Sequence, residues 1–386
     1  MIYTINKLAT DDFTHQMFRQ LTSSMAPDVL AYYMWSNPPS AMESFLTRFN
    51  TDKPLVFLGI KDLIDCWADF NFWHDSQQKG SRLLAKMVRR NAKTKFILFT
   101  SLENLEQELE APNLHIIPWG GDYVNQRGKY LQLEPVLDKN FDSKQTFICL
   151  NRNVREHRIV NLSYLFGAGY NTNGVISYLG RSLLDPDFEP DEFLDRISWE
   201  FDERHDRVRE LMLVGYKKLI DQTNFVPDKY DIYKEYGTGI NDNFGNFQTR
   251  LRPMYQNSFV EIVSESSFTA PGYMLTEKTA HSFFGCNFPI ILSGCGAVAH
   301  LRDVGFDMFD DVVDHSYDQI KNPFDRILSA IDANHRLLTD GDHAKQTWLA
   351  CKDRFENNIK IFHNMFDWYE NRARQKLSKI LDAPCN

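Results

Sequence analysis

The chain has no Cys-x-x-Cys pair, no His-Glu-x-x-His, no Gly-x-Ser-x-Gly and no close pair of histidines. Zinc fingers, zincin-type metalloproteases and nucleophile-elbow hydrolases are therefore not expected. Its cysteines, Cys66, Cys149, Cys286, Cys295, Cys351 and Cys385, are too few and too scattered for a disulfide scaffold, so a reducing cytoplasm is the expected setting. The start, "MIYTINKLATDDF", lacks a basic-then-apolar signal. No apolar run approaches the roughly 18–20 residues of a membrane span, and neither internal repeats nor low-complexity tracts are present. Basic residues are also short. With 43 Lys and Arg against 52 Asp and Glu, the formal net charge of −9 excludes a surface that tracks nucleic acid throughout. The local exception is "SRLLAKMVRRNAKTK" (81–95), which reads first as the solvated side of an amphipathic helix and second as a basic face for an acceptor.

What is present is ordinary globular composition, 43% hydrophobic and 25% charged over 386 residues, long enough for two domains. Over residues 1–142 helical and strand patterns alternate, as in a doubly wound α/β domain. "DDFTHQMFRQLTSSM", "SAMESFLTRFN" and "SRLLAKMVRRNA" predict helices; "KPLVFLGIKDL", "KTKFILFTSLEN" and "NLHIIPWGG" predict strands. A polar stretch, "LEPVLDKNFDSKQ", then leads into a second α/β domain over 143–342, with a helical insertion at about 182–222. Its apolar runs are "TFICL", "NSFVEIVSES", "FPIILSG" and "DMFDDVVD". Residues 343–386 predict one long amphipathic helix, broken at most once, packing across both domains.

Two places gather charge where a strand runs into a helix. "NRNVREHR" sets Arg152, Arg155 and Arg158 at the start of a helix, where cations oppose the macrodipole unless an anion joins them. Ordinary surface charge is the plain alternative. "SFVEIVSES" ends in Glu265, and "YMLTEKTAHSFFG" opens a helix with Thr276, Glu277 and Lys278 in or beside its first turn. Capping chemistry explains Thr276 and Glu277. It leaves Lys278 without a reason, since a lysine favours the far end of a helix unless it meets a phosphate. Ligands of open α/β sheets sit beyond the carboxyl ends of the strands, where both clusters fall. Carboxylates suit ribose or sugar hydroxyls; Lys278 and the arginines suit phosphate oxygens.

These residues carry a resemblance. "SFVEIVSES … YMLTEKTAHSFFGCNFPIILSGCGAVAHLRDVGFDMFDD … DHSYDQI" is similar to the donor-binding segment of fucosyltransferase-like inverting glycosyltransferases. It resembles more closely the glycosyltransferase-like proteins of large-genome bacteriophages, with which it shares the pattern of "CLNR", the later "HR", "EIVSE" and "TEK". The resemblance covers roughly residues 146–330. It implies the GT-B fold: two facing Rossmann-like domains, here followed by the long C-terminal helical segment. It also implies transfer of a sugar from a nucleotide-diphosphate sugar, metal-independent and without a further cofactor, to a glycan or to a hydroxymethylated base in phage DNA. For a phage protein the compartment is the host cytoplasm. By the resemblance Glu265 matches the Glu ending the strand, Glu277 the acid on the donor ribose and Lys278 the lysine on the diphosphate. Tyr273 and Thr276 lie in the same substrate-binding loop. Arg158 best fits the phosphate-binding arginine; Arg155 gives the same spacing to a later leucine, and Arg152 completes the cluster. Ser266 stands where fucosyltransferases carry Asn, and "TAPG" lengthens the loop, so fucose is not implied. The catalytic base comes from the first domain by the same resemblance, with Glu103 the first candidate and Asp122 the second. Glu103 also suits the start of the helix "ENLEQELE".

Two other functions compete. Gly294, Gly296 and Ala299 in "SGCGAVAHL" satisfy Gly-x-Gly-x-x-Ala after a strand, which points to an NAD(P)-dependent oxidoreductase. A non-catalytic sugar- or nucleotide-binding protein on the same fold is the second. The Asp-x-Asp letters of "DPD" (185–187) and "DGD" (340–342) fall in turn-like contexts rather than at a metal site.

Overall fold

The computed structural model describes residues 2–4, 29–34, 47–50, 55–60, 83–100, 111–118, 130–151, 156–177, 206–221, 247, 251–265, 268 and 275–382. The chain divides into two compact units, each α/β. One comprises Met1–Gly128, Thr269–Thr276 and Asn364–Asn386; the other comprises Lys129–Phe268 and Glu277–His363.

The first unit holds a five-stranded sheet in the order β1 (Ile2–Thr4), β2 (Val29–Met34), β3 (Leu55–Ile60), β4 (Lys95–Thr100), β5 (Leu114–Pro118). Only β1 is antiparallel to its neighbour; β2 to β5 run parallel, with Leu58 paired to Leu98 and Leu98 to Ile116. In β4 the successive residues Phe96, Ile97, Leu98 and Phe99 are all buried, as expected of a parallel strand covered on both faces. Strand order follows chain order here, so the described strands contain no reversal of winding. Residues 83–90 form helix α1, burying Leu84, Met87 and Val88. The C-terminus of α1 is closed by Asn113, whose Nδ2 donates to the carbonyls of Val88, Asn91 and Thr94.

The second unit is built on a four-stranded parallel sheet in the order β7 (Gly174–Ser177), β6 (Phe147–Leu150), β8 (Val260–Ser264), β9 (Phe288–Leu292). The chain leaves β6 to one side to make β7 and then crosses to the other side for β8. Winding reverses there, and a topological switch point opens between β6 and β8. All residues of β8 and β9 are buried. Pro289 is tolerated because β9 pairs only with β8 among the described strands, leaving one side without ladder bonds.

The helices that follow in chain order are α2 (Glu156–Gly167), α3 (Asp206–Asp221), α4 (Arg252–Gln256), α5 (Glu277–Phe284), α6 (Ala297–Val304), α7 (Pro323–Ala333), α8 (His335–Thr339), α9 (Gly341–Ala350) and α10 (Lys352–Asp382), all in this unit except α10 from Asn364 onward. The core joins Phe147, Ile159, Phe259, Ile262, Phe288 and Trp348. Helix α3, from the predicted insertion, lies so close to α2 that a Cβ on Gly215 would stand 1.9 Å from the Ser163 carbonyl oxygen.

One expectation changes. "DMFDDVVD" is not a strand: Phe309 has φ 58, and Asp307 Oδ1 accepts from the Phe309 N–H, so a turn forms. Arg354 of α10 then pins that turn by donating to both carboxylates, Asp307 and Asp311. The amphipathic C-terminal pattern breaks once, at Cys351, between α9 and α10. Among the described residues no helix is long and apolar enough to cross a membrane.

Candidate functional site

The carboxyl edge of the second sheet gathers polar residues that are otherwise rare in a core. Asn151 follows β6, and its backbone N–H donates to Ser177 Oγ at 2.8 Å, tying the ends of β6 and β7 together. Asn161 of α2 reaches Ser264 Oγ at 3.3 Å and Cys149 Sγ at 3.4 Å, which fixes α2 beneath β6 and β8. Across the switch point α2 sends two further side chains to the end of β8. His157 Nε2 lies 2.9 Å from the Glu265 carbonyl oxygen. Arg158 Nη2 donates to the carbonyl oxygens of Ser264 at 3.1 Å and Glu265 at 3.4 Å.

Arg158 has a bracing part in this placement. It is 2% exposed and directs its guanidinium at main-chain carbonyls, where it braces the strand end rather than facing solvent. Burial of an arginine demands such acceptors.

Glu265 is likewise fully buried. Its Oε1 accepts from Thr279 Oγ1 at 2.6 Å and from the Thr279 N–H at 3.3 Å, so the carboxylate closes the first turn of α5 from within. A bound anion would therefore meet α5 chiefly through its side chains, because an internal carboxylate already takes a backbone donor. The half-buried charged residues of the first turn are Glu277 and Lys278, of which Lys278 is the one that suits an anion. Lys278 Nζ meets Glu277 Oε1 at 2.8 Å, with side-chain exposures of 22% and 19%. The puzzle of a lysine at a helix start has a local answer in its neighbour. Burial raises the Glu277 pKa, but Lys278 first and His281 second outweigh it and bring it down to about 2. Thr276, just ahead of α5, is buried at 1% exposure.

Phe268, beyond Glu265, is held by α2 and α7. Its ring stacks on His157 with centroids 5.2 Å apart, and the Arg326 guanidinium of α7 lies over the ring, 4.5 Å from its centroid. Arg326 Nη2 donates to the Phe268 carbonyl at 2.8 Å. These residues have no sequence motif. Contacts between a side chain and a main-chain carbonyl impose no residue pattern at the acceptor, which is why they were not read from the chain.

Further along the edge, the glycine-rich turn before α6 adopts the expected strand-to-helix position, with Gly296 at φ 88. Its N-terminal donors are taken. Val298 N donates to Asp318 Oδ1 and Ala299 N to Asp318 Oδ2, both at 3.1 Å, and Asp318 is 2% exposed. The "DGD" letters resolve similarly: Asp340 Oδ1 accepts from the His343 N–H and caps α9. Among the described residues no group of three or more His, Cys, Asp and Glu is arranged to hold a metal ion.

Arg152, Arg155, Tyr273, Glu103 and Asp122 lie outside the described residues. Comparison with family models, with curated proteins and with solved structures returns no match for this chain.

Proposed function

We propose that the protein is a GT-B type glycosyltransferase that takes its sugar from a nucleotide-diphosphate sugar bound at the carboxyl edge of the second sheet. The observation that carries this is the Glu277–Lys278 ion pair, left part-exposed on the first turn of α5 beside the switch point. In this account Lys278 exchanges Glu277 for the donor diphosphate, and the released Glu277 carboxylate accepts from ribose hydroxyls. Arg158, His157 and buried Glu265 hold the strand end and the helix start in place for that exchange. Chemistry is then a single inverting displacement. The acceptor oxygen attacks the anomeric carbon, the bond to the diphosphate oxygen breaks, and the acceptor proton passes to Glu103 or Asp122. Lys278, with Arg152 or Arg155, offsets the charge growing on the leaving diphosphate without a metal ion. The acceptor is a glycan or a modified base in DNA, and the setting is cytoplasmic.

The Asp318 contacts weigh against dinucleotide binding at Gly294, Gly296 and Ala299. A pyrophosphate would have to displace a buried carboxylate from the N–H groups of Val298 and Ala299. A non-catalytic binding protein would share the donor site but release no nucleoside diphosphate.

Thermal-shift screening against UDP-, GDP-, ADP- and CDP-linked sugars tests the proposal. One class should raise the melting temperature, and Lys278→Ala should weaken that donor about 10- to 100-fold, the loss of one charge-assisted hydrogen bond to phosphate. An undiminished shift in Lys278→Ala, or a shift with NADH instead, would sink it. Release of nucleoside diphosphate on incubation with the donor separates a transferase from a binding protein.

A further inference from the structure

The basic stretch at 81–95 has no part in the donor site, yet it is a strongly basic segment of an acidic chain. Between Ser76 and Leu102 there is no Asp or Glu, while Lys79, Arg82, Lys86, Arg89, Arg90, Lys93 and Lys95 all fall within it. Chance solvation of a helix face does not require such one-sidedness; mixed signs are the usual arrangement.

The structure concentrates this charge further. On α1 the apolar side, Leu84, Met87 and Val88, is buried, and Lys86, Arg89 and Arg90 are exposed, with Lys93 exposed in the turn that follows. Two ties recruit basic residues from distant parts of the chain to the same edge. Arg90 donates to the carbonyls of Thr47 and Phe49, which brings exposed Arg48 beside the last turn of α1. Lys95, the first residue of β4, donates through Nζ to the Ile380 carbonyl at 2.8 Å, which brings exposed Lys379 to the start of that strand. Arg48, Lys86, Arg89, Lys93 and Lys379 thus share the amino edge of the first sheet. Among the described residues of the last two turns of α10 the sole acid is Asp382, which accepts from Ser378.

We propose that this edge is a docking surface for the phosphate backbone of nucleic acid. Five exposed cations drawn from three separated segments form a potential that favours a polyanion over a single small anion. A lipid surface fits less well. Helices that lie on membranes present a broad apolar face, whereas Leu84, Met87 and Val88 of α1 and Leu377 and Ile380 of α10 are buried, and Leu381 alone is an exposed apolar residue of the last turns of α10. The inference stands apart from the donor-site proposal and uses none of its residues.

Fluorescence anisotropy of the full chain with a labelled duplex of about 25 base pairs is the test. If four phosphates are contacted, affinity should fall on the order of 100-fold between about 50 and about 200 mM salt. The triple variant Lys86→Gln/Arg89→Gln/Lys93→Gln should lower the salt slope by about 0.9 for each contact removed. Arg48→Gln/Lys379→Gln, on other segments, should do so independently and keeps the test decisive if the triple variant misfolds. Unchanged affinity and slope in both variants overturns the proposal. So does binding to phosphatidylserine vesicles with none to the duplex.

Discussion

Glu261 shows how a single buried carboxyl can set a pH dependence. It sits mid-strand in β8 at 3% exposure, with the Tyr255 hydroxyl donating to Oε1 at 3.0 Å. Burial drives its pKa up to about 8; the hydrogen bond from Tyr255, the nearby Ser282 hydroxyl and the charge of Lys139 oppose this, and Glu265 adds to it. Against an unfolded value of 4.5, the folded chain keeps this proton longer than the unfolded chain does. The stabilisation is fully present below about 4.5 and is lost as pH rises through about 8. Glu261→Gln stays neutral at every pH. Melting temperatures taken at about pH 5, 6.5 and 8 should therefore show the wild type losing ground to Glu261→Gln as pH rises. A constant gap between them would refute the assignment.

Lys139 is the companion case. It is 7% exposed, and its Nζ donates to the carbonyls of Tyr255, Ser258 and Gly285 at 2.7, 2.9 and 2.7 Å, and to Asn287 Oδ1. One ammonium thus gathers the end of α4, the end of α5 and the entries to β8 and β9. Lys139→Met preserves the stem and removes the donors, leaving those acceptors buried without their partner. A loss of about 3 kcal/mol or more in denaturant unfolding is expected. A change below about 1 kcal/mol would mean that water or a shifted side chain replaces the ammonium.

At the scale of elements, the contact of α2 with α3 depends on two glycines. A Cβ on Gly215 would lie 1.9 Å from Ser163 O and 2.5 Å from Gly167 N; one on Gly167 would lie 2.0 Å from Leu211 O. The obstacles are backbone atoms, so rotamer changes cannot relieve them. Gly215→Ala should cost about 3 kcal/mol despite its gain in helix propensity. Lys217→Ala, exposed on the same helix, should stay within about 0.5 kcal/mol. Chemical denaturation of the two variants side by side distinguishes the close crossing from a general weakness of α3.

The same elements mark what sequence patterning reaches. Runs such as "FILF", "VEIV" and "FPIIL" announce β4, β8 and β9 because parallel strands buried on both faces must be apolar throughout. The four-residue β7 and the β2 segment "VLAYYM" received no assignment, the first because it is too short to show a period. The charged turn at Glu277 and Lys278 was legible as a departure from helix capping. The burial of Arg158, and the capture of α6 by an aspartate twenty positions away, depend on the path of the folded chain and have no local signal.

At the scale of the molecule, two sheets with separate cores make two cooperative units the expectation. Val56, Leu58, Phe96 and Ile116 are buried in the first, Phe147, Phe259, Ile262 and Phe288 in the second. Helix α10 contributes to both: Phe355 and Ile359 fall in the second unit, Leu377 and Ile380 in the first. Multi-domain chains commonly leave the two-state regime, so differential scanning calorimetry should resolve two transitions, or one whose calorimetric enthalpy exceeds its van't Hoff enthalpy. The two can be assigned independently. Gly215→Ala and a bound nucleotide-sugar should move only the transition of the second unit, in opposite directions, because Gly215 and Lys278 both belong to it. Removal of residues 364–386 deprives the first unit of Leu377 and Ile380 and should abolish the other transition while leaving the donor-induced shift. A single transition with equal enthalpies, displaced by every one of these changes, would instead make α10 a spine that joins the units into one cooperative body.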